Sequence, residues 1–159
     1  MSLLEILKSL INNKMFLSPL IALVIAQLIK GVLYLIFDKK KNPNELLEIV
    51  TWRTGGMPSS HAALVCSLVT IAIIDNKLSS EIFAMSFWFA TVVLRDAVGV
   101  RRQAGLLAKS LNNLGIDTTS KIGGNFNTVK EIQGHTIPEV IAGGALGVLI
   151  AVGFKLFIP

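Results

Sequence analysis

An apolar run from Met15 to Phe37, interrupted by Gln27 and Lys30, constrains this chain more than any other feature. About 20 such residues cross ~30 Å of hydrocarbon as a helix. The run continues past signal-peptide length without a small-residue cleavage site, so it reads as a first membrane span retained in the mature protein. Three more apolar stretches follow, from about Ser60 to Ile74, Ile82 to Val100 and Ile137 to Ile158, the first of these being short for a span. With 52% hydrophobic and 16% charged residues and a mean hydropathy of +0.65, disorder is excluded and lipid is the expected solvent. Residues 1–14 place Leu3, Leu4, Leu7, Leu10 and Ile11 at helical spacing with Lys8 opposite, the pattern of a helix lying along the interface. At 159 residues without a Pro/Ser-rich linker, the expectation is one membrane domain over 1–159. Its fold class is all-α: an integral membrane bundle of about four transmembrane helices, an N-terminal interfacial helix and short cytoplasmic helices.

Four spans put the two long connections, Asp38 to Met57 and Arg101 to Gly134, on one side of the membrane. They carry Lys39, Lys40, Lys41, Arg53, Arg101, Arg102, Lys109, Lys121 and Lys130, against Lys8, Lys14, Lys77 and Lys155 on the other. The positive-inside rule predicts that the long connections are cytoplasmic and both termini outside, in a multi-pass cell-membrane protein. The net charge of +5 calls for an anionic neighbour, whether phospholipid headgroups, nucleic acid or a phosphorylated substrate, and charge alone does not choose among them. In a membrane chain the expected partners are an anionic phospholipid surface and a lipid substrate, not nucleic acid. Within the second connection, Arg101 to Asn113 is rich in helix formers, with Gly115 as a stop signal. Ile116 to Asn127 then reads as a loop, and Thr128 to Gln133 as a short helix; Gln103 to Gln133 could act as a lid or headgroup selector. Gly143, Gly144 and Gly147 have the small-residue spacing that lets helices approach closely, which also makes a homo-oligomer conceivable. Cys66, the single cysteine, reads as a small core residue.

Ionisable groups inside spans cost ~2.5–3.5 kcal/mol at mid-helix on insertion scales, so each needs a reason. Lys30 lies seven residues from the end of its run, ~10 Å at helical rise, and either snorkels to the surface or serves a site. Arg95, Gly99 and Arg102 fall at i, i+4 and i+7, which on an α-helix leaves a gap for an oxyanion between two guanidinium groups. Arg95 and Asp96 could instead pair internally. Gly55-Gly56-Met57-Pro58-Ser59-Ser60-His61 precedes an apolar helix, and such a start is either a simple cap or an anion cradle of N–H groups and hydroxyls. In Gly134-His135-Thr136-Ile137-Pro138-Glu139, Glu139 is positioned to orient His135. It equally fits a capping box with Thr136.

The span order brings these clusters to one membrane face: Lys30, Arg53, Ser59, Ser60, His61, Arg95, Asp96, Arg101, Arg102, Lys130, His135 and Glu139. Two histidines amid so much positive charge suit phosphoryl transfer, where catalysis is largely positioning and charge neutralisation. The same charge repels a cation, so no metal and no cofactor is expected.

At Pro58-Ser59-Ser60-His61, Arg95-Asp96-Ala97-Val98-Gly99-Val100-Arg101-Arg102 and Gly134-His135-Thr136-Ile137-Pro138-Glu139, the sequence resembles the type 2 phosphatidic acid phosphatase superfamily, specifically its divergent membrane branch. The resemblance spans roughly residues 15 to 158. It implies that His135 attacks phosphorus to form a phosphohistidine, that Glu139 orients it, and that His61 protonates the leaving oxygen. It further implies that Ser59, Ser60, Arg95, Arg101 or Arg102, with Lys30, Arg53 or Lys130, bind phosphoryl oxygens, Asp96 being a supporting residue. The sequence departs from the superfamily in two motifs. The first, Lys-x6-Arg-Pro, is missing, since Phe37 stands seven residues after Lys30 and Thr54 follows Arg53. The third has Val129 in place of its arginine and Glu139 in place of its aspartate. The expected substrate is a membrane lipid phosphate or diphosphate such as phosphatidic acid, phosphatidylglycerophosphate or a polyprenyl diphosphate. A non-catalytic protein that holds or transports an anionic headgroup is the alternative, and vanadate-dependent oxidation a remoter one.

Overall fold

The computed structural model describes residues 2–38, 42–51, 56–131 and 134–157. Lys39, Lys40, Lys41, Arg53, Gly55, Ile132, Gln133 and Ile158 lie outside the described residues. All regular structure among the described residues is helical: α1 (Leu3–Asn12), α2 (Lys14–Phe37), α3 (Pro43–Thr51), α4 (Ser60–Asn76), α5 (Glu81–Arg95), α6 (Arg101–Ile122) and α7 (Ile137–Phe157), with a π-helical segment, Asp96–Val100, joining α5 to α6. Among the described residues, three helical stretches are long and apolar enough to cross a membrane, α2, the continuous Glu81–Ile122 rod and α7, and α4 is a shorter apolar helix.

Local chemistry sets the helix starts. Ser2 and Glu5 form a reciprocal capping box on α1, and every residue of α1 is exposed, including its apolar face. Asn13 Oδ1 accepts from the Met15 and Phe16 amides, capping α2 as α1 ends. Ser59 and Ser80 cap α4 and α5 in the same way, taking up N–H groups that have no intrahelical partner.

Helix α4 is central, packed against α2, α5 and α7. The contacts are made by small residues, because a bilayer offers no hydrophobic drive between helices and close van der Waals packing must supply it. Ala22, Ala26 and Ala63 form a fully buried cluster, with Leu146 and Ile150 packed against it. Ser18 and Ser67 share a buried hydrogen bond of 2.9 Å between α2 and α4. Gly143 and Gly147 lie directly against the Ser59 and Ala63 carbonyls, where any side chain would collide with α4 backbone. At the far end, Lys155 pairs with Asp75 at 2.8 Å and Asn76 reaches Met15 Sδ. The start of α2, the end of α4 and the end of α7 therefore share one membrane face, which leaves the opposite ends of these helices on the other.

The second long connection departs from the reading of its sequence. The helix does not stop at Gly115 but runs to Ile122, so part of the expected Ile116–Asn127 loop is helical. Gly115 is retained mid-helix because the Phe126 ring packs where a Cβ would stand. Of the expected Thr128–Gln133 helix, the described residues Thr128–Glu131 have no regular structure and are pinned to α6 by Asn112, which accepts from the Val129 amide and donates to the Val129 carbonyl and to Glu131.

Candidate functional site

The site is assembled at the face where α4 and α7 begin and α5 ends. After Asp96 the rod adopts π geometry, and the Arg101 amide bonds back to the Asp96 carbonyl. Such one-turn expansions are frequent at functional sites. Two consequences follow here. Residues five apart, which an α-helix separates by about 140°, come onto one face, so Arg101 Nε pairs with Asp96 Oδ2 at 2.8 Å. The Ala97 carbonyl meanwhile accepts the His135 amide at 3.1 Å. Gly134 makes that crossing possible by lying against the Arg102 backbone, where a methyl group would clash. The expected α-helical face of Arg95, Gly99 and Arg102 is thus interrupted by the π segment, and Asp96 with Arg101 takes its place.

His135 is almost wholly buried, at 2% exposure. Its Nδ1–H donates to Glu139 Oε2 at 3.0 Å, and the same oxygen accepts the Thr136 amide at 3.3 Å. Glu139 therefore both orients the imidazole and caps α7, where the sequence left a choice between the two. Holding the proton on Nδ1 leaves Nε2 as the atom with a free lone pair, and Nε2 is buried with no hydrogen-bond partner among the described residues. Burial holds the His135 pKa below its ordinary 6.5; Glu139 opposes that, and Lys30 and Arg101 act with it.

The His61 ring stands 6.5 Å from that of His135, edge to face, with the planes at 61°. Ser60 Oγ, on the residue before His61, is likewise buried without a partner among the described residues. Ser59 is differently employed: its hydroxyl caps α4, its amide donates to the Glu139 carbonyl at 2.9 Å, and its backbone receives Gly143. Lys30 does not snorkel. It is 6% exposed and lies within electrostatic reach of Glu139 and both imidazoles.

The structure thus gathers Lys30, Ser59, Ser60, His61, Asp96, Arg101, His135 and Glu139. Of the arginines on the rod, Arg101 is the one whose charge acts on both histidines, while Arg95 and Arg102 are exposed. Lys130 is exposed on the segment that Asn112 holds, and Asn112 lies eleven residues beyond Arg101 on α6, about 16 Å along the helix. Arg53 lies outside the described residues. The Ala97 carbonyl was missed, and no side-chain signal could have revealed it, because its role belongs to the backbone of the π turn.

A family model described as the divergent PAP2 family matches residues 11–150. This chain belongs to that family. The divergent PAP2 chain is also 36% identical over 159 aligned residues to the "Uncharacterized membrane protein YuiD" of Bacillus subtilis (strain 168), in a match that covers 93% of this chain and 98% of the relative. No solved structure matches it. Fold and family agree on a multi-pass helical membrane protein with PAP2-like ancestry.

Proposed function

We propose that this divergent PAP2 protein hydrolyses a lipid phosphate monoester or diphosphate without a metal, through a phosphohistidine, at the cytoplasmic face of the membrane. The observation that carries the reading is His135: a buried imidazole with Nδ1 fixed by Glu139 and Nε2 unpartnered among the described residues, 6.5 Å from a second imidazole and within electrostatic reach of Lys30 and Arg101. In the first step the Nε2 lone pair forms a bond to phosphorus as the bond to the leaving oxygen breaks, and protonated His61 gives that oxygen its proton. In the second, water attacks the phosphohistidine, His61 takes its proton, and His135 is released with inorganic phosphate. Lys30, Arg101 and the Ser60 hydroxyl neutralise and orient the phosphoryl oxygens. Bilayer-held substrates suit a site at helix ends, and the excess of Lys and Arg in the long connections supports the cytoplasmic side.

The test is phosphate release in detergent from a panel of lipid phosphates and diphosphates, with and without chelator. Release that survives chelation and disappears in His135→Ala supports the proposal, and His61→Ala should slow poor leaving groups most. Release by His135→Ala at the native rate refutes the nucleophile. One observation favours the headgroup-binding reading: Val129 occupies the position of the third-motif arginine and lies on the segment held to α6, so one phosphate clamp is absent. A protein that binds lipid phosphate with no turnover would establish that reading instead.

A further inference from the structure

An apolar cleft of about 220 Å³ lies between α4, α5 and α7, lined by Cys66, Thr70, Phe87, Ala90, Thr91 and Leu94 among others. It falls within the membrane-spanning part of the bundle. Its two hydroxyls are already used, since Thr70 donates to the Cys66 carbonyl at 2.7 Å and Thr91 to the Phe87 carbonyl at 2.9 Å. The lining therefore offers little but hydrocarbon, which excludes a polar occupant on desolvation grounds. Its position is directional. Leu94 is three residues, about 4.5 Å of helix, from Ala97, whose carbonyl holds His135. The α5 stripe of Phe87, Ala90, Thr91 and Leu94 thus leads toward the π turn that sets both His135 and Arg101. On the outer side the cleft borders exposed Phe87 and Thr91.

We infer that this cleft binds one hydrocarbon chain of the lipid whose phosphate sits at His135, an inference that rests on the hydrolase reading for the identity of the headgroup. At about 30 Å³ per water-sized group, and a methylene is of similar size, the cleft holds about seven methylenes. It accommodates a single chain, and a second tail of a two-chain lipid stays in the bilayer. A lipid tail already in the bilayer gains no such transfer energy, but for short alkyl phosphates that come from water each methylene seated in the cleft adds about 0.8 kcal/mol, or about fourfold in kcat/KM per carbon, up to about seven carbons.

Cys66, half-buried in the lining and the single cysteine of the chain, is a natural handle. The purified full-length protein is assayed with n-alkyl phosphates from two to twelve carbons, before and after Cys66 is capped with an alkyl methanethiosulfonate, and again after reduction. The expected result is a rise in kcat/KM that levels off near seven carbons. Capping should collapse the eight-carbon to two-carbon ratio by tenfold or more, and reduction should restore it. A ratio unmoved by capping overturns the cleft assignment and leaves the hydrolase reading intact. An independent readout uses a lipid phosphate with a diazirine in its chain and locates photolabel by mass spectrometry. Label on 66–70 and 87–94 that unlabelled lipid phosphate competes away, but a zwitterionic lipid does not, supports the cleft even if turnover is absent, in which case hydrolysis alone is refuted. Label competed equally by both lipids means that bulk bilayer fills the groove, and overturns the inference.

Discussion

Glu139 permits a graded perturbation, because one of its oxygens serves both the His135 imidazole and the α7 cap. Glu139→Gln keeps an acceptor for the Thr136 amide and for Nδ1–H but removes the charge that stabilises His135 as it becomes cationic on attack. Hydrogen bonds to charged groups contribute ~1.5–3 kcal/mol against ~0.5–1.5 for neutral ones. The Gln variant should therefore lose about 1–1.5 kcal/mol of transition-state stabilisation, or about 5- to 12-fold in kcat/KM at 1.36 kcal/mol per decade. Glu139→Ala removes the bond entirely and should cost about 10- to 150-fold. The pH profile provides a readout that a purely structural role would not move. Burial holds His135 below 6.5 and Glu139 pulls upward against it, so removing the carboxylate must shift the acid limb of kcat/KM to still lower pH. Steady-state phosphate release in detergent between pH 4.5 and 8 measures both effects. A Gln variant that matches the native rate and acid limb, or an Ala variant no slower than Gln, would refute the assignment of Glu139 as the group that orients His135.

Further outcomes follow from the packing and the buried charge. A histidine whose folded pKa lies below its unfolded value contributes stability that is complete above about 6.5 and is lost as pH falls through the folded value; melting in detergent should therefore drop on acidification, and His135→Asn should flatten that dependence. Gly143→Ala and Gly147→Ala drive a methyl into the Ser59 and Ala63 carbonyls and should each cost about 1–3 kcal/mol of overpacking, whereas Gly99→Ala meets nothing within 4 Å among the described residues and should cost nothing in the same melts. Ser18→Ala or Ser67→Ala leaves a buried hydroxyl alone and should cost ~1–3 kcal/mol, while the double variant costs less than the sum; strictly additive losses would mean that the 2.9 Å bond contributes nothing.

Hydropathy made the spans legible because lipid imposes a length and polarity on each, and α2 and α7 begin and end close to the limits of their apolar runs. Span order alone then put Lys30, His61 and His135 at one end of the bundle, and the contacts of Asp75 with Lys155 and of Asn76 with Met15 gather the other end. The connection after α5 was less legible for two reasons. A mid-helix glycine costs only ~1 kcal/mol, which packing of Phe126 over Gly115 offsets, so the stop signal failed. The π segment has no composition of its own, yet it changes which side chains share a face: spacing arithmetic for an ideal helix selected Arg95 and Arg102, and the expanded turn presents Arg101. Thr128–Glu131 has residues that could start a helix, but Asn112 on α6 satisfies the Val129 amide and carbonyl without one. The fate of Lys30 turned on tertiary packing, since both snorkelling and burial were open to a lysine one or two turns from a helix end.

The account depends most on His135 carrying phosphorus. Native protein mixed with ³²P-labelled lipid phosphate, quenched in alkali within the first turnover and mapped by peptide mass spectrometry, should show base-stable, acid-labile label on His135 that forms before free phosphate appears and is absent in His135→Ala. Phosphate released with no label on His135 at any time would contradict it.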